Sequence, residues 1–298
     1  EAVFHANRSF NLPVVLDLHE NRPEIMKHYK HVNTVVGRLL IDLRRWSQKY
    51  YELCKLAQRI IVVTDAAKDD IVSKCKKDPK TIAVVPNSVQ PAELLSSTIQ
   101  PGIVERMHDT FNLLYIGDTS IRRGVDTAIQ AVSLIKPKIP NIKLWIVGRS
   151  SADKELKKMS NALGLTNCIA FEGWQDPSTF SSYLQATHIA LSPIKRNLHH
   201  DTTYANKLFQ YMLFGVPLIV SDSTAQAQLV TNLGAGFVHE AGNPESLVEK
   251  ILQLYANKEE ALKLGVNGRN AVMTKWNWDL TVTPLLDIYR VGFADRQN

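Results

Sequence analysis

The 298-residue sequence has no apolar run of membrane-spanning length, so a helical membrane span is excluded, and no signal peptide is visible in it. Its three cysteines, Cys54, Cys75 and Cys168, are odd in number, widely spaced and without a CxxC pair. That pattern excludes a disulfide framework and a zinc site, and it reads as the reduced thiols of a cytoplasmic protein. There is no GxGxxG fingerprint and no GKS/T P-loop, which removes support for dinucleotide binding and for P-loop ATP hydrolysis. HExxH, GxSxG and an acidic calcium loop are missing too, and no repeat or low-complexity tract stands out. The chain starts at Glu1 without a methionine, in what reads as the middle of a fold; a missing N-terminal segment is therefore expected.

What is present describes a globular protein: 45% apolar and 21% charged residues, over a length sufficient for two domains. The net charge of +6 is concentrated in one place. Between Arg22 and Arg59 there are nine basic residues, Arg22, Lys27, Lys30, Arg38, Arg44, Arg45, Lys49, Lys55 and Arg59, against three acidic ones, Glu24, Asp42 and Glu52. The same stretch carries Tyr29, Trp46, Tyr50 and Tyr51 with Val35, Val36, Leu39, Leu40 and Leu43. It reads either as a long helix packing an apolar stripe on its domain with a solvated basic face, or as a surface for an anionic lipid, a phosphorylated acceptor or nucleic acid.

Apolar runs mark strands at Pro13 to His19, Arg59 to Thr64 and Lys80 to Pro86, separated by helical stretches, with Thr64 or Asp65 capping the second helix. A proline-containing segment from Gln90 to His108 is the expected domain boundary. Strands then read at Phe111 to Gly117, Ile142 to Gly148, Cys168 to Gly173, His188 to Pro193, Val216 to Ser221 and Gly236 to His239, with helices in every gap. Alternation of this kind predicts βαβ units and parallel sheets, the second set forming a doubly wound Rossmann-type domain. The division expected is 1–105, 106–275 and a terminal helical segment 276–298.

Three places could carry chemistry. His19 and Glu20 sit at the end of the first strand, where open α/β sheets bind ligands; a structural histidine fits as well. After the Phe111 strand, Gly117 opens a short loop with Arg122 and Arg123, and guanidinium forks there suit phosphate oxygens. In HHDTTYANKLFQYMLFGVPLIVSD, from His199 to Asp222, a Thr202/Thr203 cap is expected to start a helix that Gly215 stops. Its period puts Leu208, Tyr211 and Met212 on one side and Asn206, Lys207 and Gln210 on another. That polar face reads as a phosphate or hydroxyl site or simply as a solvated surface. His199, His200 and Asp201 read as a surface loop, not as metal ligands.

The ordered set YIGDTSIRRGVDTAIQAV, IKLWIVGR, IAFEGW, HIALSPI, NKLFQYMLFGVPLIVSD and WNWDLTVTPLLDIY resembles the C-terminal domain of family 4 glycosyltransferases with the GT-B fold. VVLDLHE, RIIVVTDAAKDDI and VVPNSV resemble the latter part of that family's N-terminal acceptor domain, so this domain is expected to be incomplete. The resemblance implies an α/β protein of two Rossmann-like domains with parallel sheets facing a cleft, the last helix crossing back to the first domain. It implies transfer of a sugar, with retention of configuration, from a nucleotide-sugar donor to a lipid-linked or polysaccharide acceptor hydroxyl, with no cofactor and no metal. By position it assigns His19 to the transferred sugar as the catalytic residue, and Glu20 and Asn87 to the acceptor or cleft. It assigns Gly117, Arg122, Arg123, Asn206, Lys207, Leu208 and Gln210 to the donor, and the loop with Gly173, Trp174 and Gln175 to its base. Partners implied are the nucleotide-sugar, a glycan or lipid-linked acceptor and, through residues 22–59, the inner membrane face of the cytoplasm, but no nucleic acid.

The sequence departs from the family at several positions. The family's two acids, eight apart, fall on Thr202 and Gln210; an arginine after the strand-end glycine is Asp118, and a further glutamate is Gln228. A glutamine amide accepts more weakly from a hydroxyl than a carboxylate does, by about 1 kcal/mol. Two alternatives therefore stand beside the transferase: a non-catalytic nucleotide-sugar-binding homologue or partner subunit, and a nucleotide-sugar epimerase on the same fold.

Overall fold

In the computed structural model, which describes residues 2–294 apart from 8, 11, 28 and 30, each of the nine apolar runs contains a strand, and all of the pairings are parallel. The chain divides into two units. The first comprises residues up to Asn87, the short stretch Asn197–Tyr204 and the chain from Trp278 onward; the second is Ser88–Arg196 with Ala205–Asn277.

The first unit holds a three-stranded sheet in the order β1 (Val15–Leu18), β2 (Arg59–Val62), β3 (Ile82–Val84). The period of two sends Ile60 and Val62 to one face of β2, where they meet Cys54, Ala57, Ile71 and Ile82. Ile61 goes to the other face, against Val85 and Ile288, with Trp278 and Leu285 packed beside them. The helix Asp65–Cys75 is capped by Thr64, whose hydroxyl accepts from the Ala67 amide at 3.0 Å and donates to the Thr202 carbonyl at 2.6 Å.

The basic segment is not one long helix. It forms Arg22–Met26, Val35–Leu40 and Leu43–Leu56, the last two begun by caps: Thr34 accepts from Gly37 N and Asp42 from Arg44 N and Arg45 N. The expectation that its apolar stripe packs on the domain fails at Val35–Leu40, where Val35, Val36, Leu39 and Leu40 are 63–81% exposed. Capping at Thr34 and again at Asp42 makes this a separate short helix, whose aliphatic residues the body of the unit does not cover. Lys30 lies outside the described residues.

The second unit is built on a six-stranded sheet, β4 (Phe111–Ile116), β5 (Ile142–Val147), β6 (Ile169–Gly173), β7 (Ile189–Ser192), β8 (Leu218–Ser221) and β9 (Gly236–His239). Its order is β6-β5-β4-β7-β8-β9, so the winding reverses between β4 and β7. The carboxyl ends of strands flanking such a reversal open a crevice. Leu113, Leu144, Ile146 and Leu191 pack with Ile129, Val132, Leu247 and Ile251 in the main core.

The proline-containing segment expected as the domain boundary belongs to this unit. It forms helices Pro91–Leu95 and Pro101–Met107; Ile103 and Met107 are buried, Gln100 N donates to Ser182 Oγ at 2.9 Å, and Arg106 pairs with Glu172 through two nitrogens at 3.0 and 2.7 Å. At the other end, helix Thr283–Ala294 packs in the first unit, and residues 295–298 lie outside the described residues.

Candidate active site

In the second unit the crevice end of β4 is built from backbone first. Gly117 leaves the strand at φ +128°, and Gly148 leaves β5 at φ +138°. A Cβ on Gly148 would stand 1.9 Å from the Gly117 carbonyl oxygen, so the two turns pack main chain to main chain. Gly117 N donates to Val147 O, and Gly148 N to Gly173 O, which links the turns after β4, β5 and β6 in one row. From behind, Tyr211 on helix Lys207–Leu213 accepts the Ile116 amide at 2.8 Å.

Onto this frame the chain brings three cations. A single helical turn, Ile121–Arg123, carries Arg122 and Arg123. Both approach Asp118 Oδ2, at 3.6 and 3.8 Å. Burial alone would raise the Asp118 pKa; two hydrogen bonds from Ser120 and the Arg123 and Arg122 guanidiniums outweigh it and hold the carboxyl below its ordinary range. The third cation is Lys207, only 8% exposed. Its Nζ lies 3.5 Å from the centre of the Tyr115 ring and beside Gly117, where an added Cβ would be 3.4 Å away. Among the described residues it has no hydrogen-bond acceptor. Burial, and then Arg123, lowers its pKa well below the ordinary lysine value, with Asp118 opposing.

Charging a buried lysine nitrogen that has no acceptor is costly unless something else brings one. Three cations around a glycine turn suit a polyanion, whose oxygens would complete the shell that Lys207 lacks. The polar face expected on the helix is not uniform: Lys207 is buried, Asn206 is exposed, Gln210 is half-buried, and Leu208 is wholly in the core. The expected start at Thr202/Thr203 is corrected. Those hydroxyls donate to the Leu198 and His199 carbonyls and close a short preceding helix, Leu198–Asp201, while the helix proper starts at Lys207 and ends before Gly215 at φ +69°.

The turn after β6 is tied differently. Gly173 is at φ +69°, Trp174 is exposed, and Gln175 Nε2 donates to the Glu172 carbonyl at 2.8 Å.

In the first unit, His19 and Asn87 come together. Asn87 Nδ2 donates to His19 Nδ1 at 3.1 Å, which leaves the proton on Nε2, directed to Asp17 Oδ2 at 3.2 Å. Glu20 lies 3.7 Å from an Arg22 nitrogen. Asp17 was not among the expected site residues, although spacing i, i+2 at a strand end puts it on the His19 side. Asp118 entered only as a departure from a pattern, and Tyr211 only as part of the apolar side of its helix.

Comparisons with known proteins bear on the family and the fold. The family described as Glycosyl transferases group 1 matches residues 98–271. The GDP-mannose-dependent alpha-(1-6)-phosphatidylinositol monomannoside mannosyltransferase of Mycobacterium tuberculosis is 23% identical over 177 residues, 59% of this chain and 46% of that protein. The capsular polysaccharide biosynthesis glycosyltransferase CapM of Staphylococcus aureus is 23% identical over 250 residues, 81% of this chain and 63% of that one. The chain thus spans about half to two thirds of the length of these relatives. Among solved structures, sucrose-phosphate synthase from Thermosynechococcus elongatus superposes with a TM-score of 0.78 at 18% identity, over 98% of this chain and 71% of that one. The architecture is the GT-B one that the sequence resemblance implied.

Proposed function

This chain belongs to the group 1 glycosyl transferases, and on that premise we propose that it moves a sugar from a nucleotide-sugar donor to the hydroxyl of a lipid-linked or polysaccharide acceptor, with retention of anomeric configuration. The observation that carries the donor site is Lys207, a buried ammonium without an acceptor beside the Gly117 turn. In this reading the donor diphosphate lies against Lys207, Arg122 and Arg123. As the bond from the sugar to phosphate breaks, its electron pair stays on the diphosphate oxygen. The acceptor oxygen forms the new bond and its proton passes to the departing diphosphate oxygen. Three fixed cations stabilise the charge that develops on the leaving diphosphate, and supply what a metal ion would otherwise supply; the reaction is accordingly proposed to need none. His19, held by Asn87 and Asp17, is assigned to the transferred sugar, with Glu20 and Asn87 on the acceptor side.

The relatives support the substrate classes: the mycobacterial protein is named for a GDP-mannose donor and a phosphatidylinositol mannoside acceptor, the staphylococcal one for capsular polysaccharide. A peripheral position on the cytoplasmic membrane face is part of the proposal. It is supported by the exposed aliphatic side chains of Val35–Leu40 beside exposed Arg38, Arg44 and Arg45. Among the described residues no helix is long and apolar enough to cross a membrane.

Gln210 favours one second reading, a homologue that binds the donor without transferring its sugar, because a neutral amide stands where the resemblance expects a carboxylate. Incubation with radiolabelled UDP-, GDP- and dTDP-sugars separates the two. Slow hydrolysis or transfer is the expected result; protection from unfolding by a nucleotide without turnover supports the binding protein, and no binding by any donor overturns both. Gln210→Glu is expected to tighten donor binding several-fold, as a charge-assisted acceptor replaces an amide.

A further inference from the structure

The second unit has a concave surface at the opposite edge of its sheet, away from the cations. It opens at the amino ends of β4 and β7 and has a volume of about 820 Å³. A rise of about 3.3 Å per residue along β4 puts it roughly 20 Å from the Gly117 turn. Three rings meet there. Phe111 lies with its centre 4.8 Å from the His188 ring and 4.9 Å from that of Tyr255, which crosses it at 87°. His188 and Tyr255 are exposed, which leaves aromatic surface facing the recess. Around the rings stand Asp109, Asn141 and Lys258, all exposed.

The polar groups say what kind of molecule fits. His188 Nδ1 accepts the Asn112 amide at 3.0 Å, so Nε2 holds the proton. The part of the ring packed against Phe111 is desolvated, and that and then Lys258 push its pKa down, so the ring is neutral near pH 7. Lys258 and Asp109 remain, of opposite sign, the Asp109 carboxylate already 2.8 Å from Nδ1 of His108, which also lines the recess. Beside them stands the Asn141 amide, whose nitrogen donates to the Asp109 carbonyl at 3.3 Å and whose oxygen can accept. A nucleotide or another polyanion would meet the Asp109 carboxylate there, with Lys258 the one lysine and His108 already engaged by Asp109, whereas the β4 turn offers it two arginines and a lysine. A molecule without net charge, apolar on its ring faces and lined with hydroxyls, matches rings bordered by mixed donors and acceptors.

We propose that this recess is a second, non-catalytic binding site for neutral oligosaccharide, on which a pyranose ring lies against Tyr255 and Phe111 while its hydroxyls reach Asp109, Asn141 and Lys258. It rests on the proposed transfer reaction only for the source of the glycan, a polymeric acceptor or product held while its end is extended elsewhere. The binding itself requires no catalysis.

The test uses the whole chain with maltohexaose, cellohexaose and chitotetraose as probes, followed by calorimetry and by retardation in gels containing the matching polysaccharides. Binding of at least one in the millimolar range is expected. Tyr255→Ala should weaken it tenfold or more, and Asp109→Ala several-fold. Both positions are at the surface, and an unchanged melting temperature confirms that the variants fold. Protection by UDP or GDP should be the same in all of them, which separates failure here from failure of the donor site. Three results overturn the proposal: no probe binds; binding survives Tyr255→Ala; or binding is lost in Lys207→Met and not in Tyr255→Ala, which would put the sugar in the donor site.

Discussion

A buried ammonium with no acceptor is a position where stability and binding pull in opposite directions. Lys207 keeps its cost beside the Gly117 turn, where a side chain in place of the glycine would press on Nζ at 3.4 Å. Lys207→Met retains the length of the side chain and removes the charge. It is expected to raise the melting temperature by a few degrees, from a gain of about 1 kcal/mol, while lowering affinity for a nucleoside diphosphate at least tenfold. Thermal unfolding with and without UDP or GDP measures both, and a fall in melting temperature would show that the ammonium already has a partner worth keeping. The sequence showed that Lys207 shares a polar face with Asn206 and Gln210. It could not show that the face turns in at one residue and out at the next, because burial of that face depends on where β4 ends, and periodicity within the helix has no access to that. Asp118 was hidden for a similar reason: its role is to hold two arginines that follow it, through a turn whose shape is set by Ser120.

At the scale of elements, the nine strands were legible because short runs of branched apolar residues between turn signals have few other uses in a globular domain. The basic segment was misread as one helix although Thr34 and Asp42 are both cap residues; an apolar pattern continuing through them outweighed the punctuation. Its middle piece, Val35–Leu40, now sets a test. The purified protein should sediment with vesicles of mixed phosphatidylglycerol and phosphatidylcholine, and several-fold less with phosphatidylcholine alone. Replacing Leu39 and Leu40 together by glutamate should abolish sedimentation without changing stability, since neither side chain is covered. Equal sedimentation with both vesicle types, or persistence in the double variant, would sink the membrane assignment.

For the whole molecule, acid should be the weak side. His239 is buried at the end of β9, where burial pushes its pKa down to about 4, against smaller upward contributions from the Glu240 carbonyl and Asp222. The folded state keeps this ring neutral while the unfolded chain protonates near its ordinary value. The stability due to it is fully present above about pH 6.5 and declines as pH falls from there to about 4, by about 3 kcal/mol in total. Denaturant midpoints across that range should fall, and His239→Gln should flatten the fall; an unchanged slope in the variant would mean that other groups set the acid limit. Nothing in the sequence around Gly236 to His239 revealed this, since strand order, and with it which strand ends are covered, is a property of the assembled sheet.

The first unit has a further consequence, for biosynthesis. Its strands are made early, but the face of β2 that carries Ile61 is covered by Ile288 and Leu285, with Trp278 beside them. On a ribosome those residues appear only after the second unit has been translated in full. The sheet that leaves the exit tunnel first is therefore finished last, and until then it presents an open apolar side that a chaperone can hold.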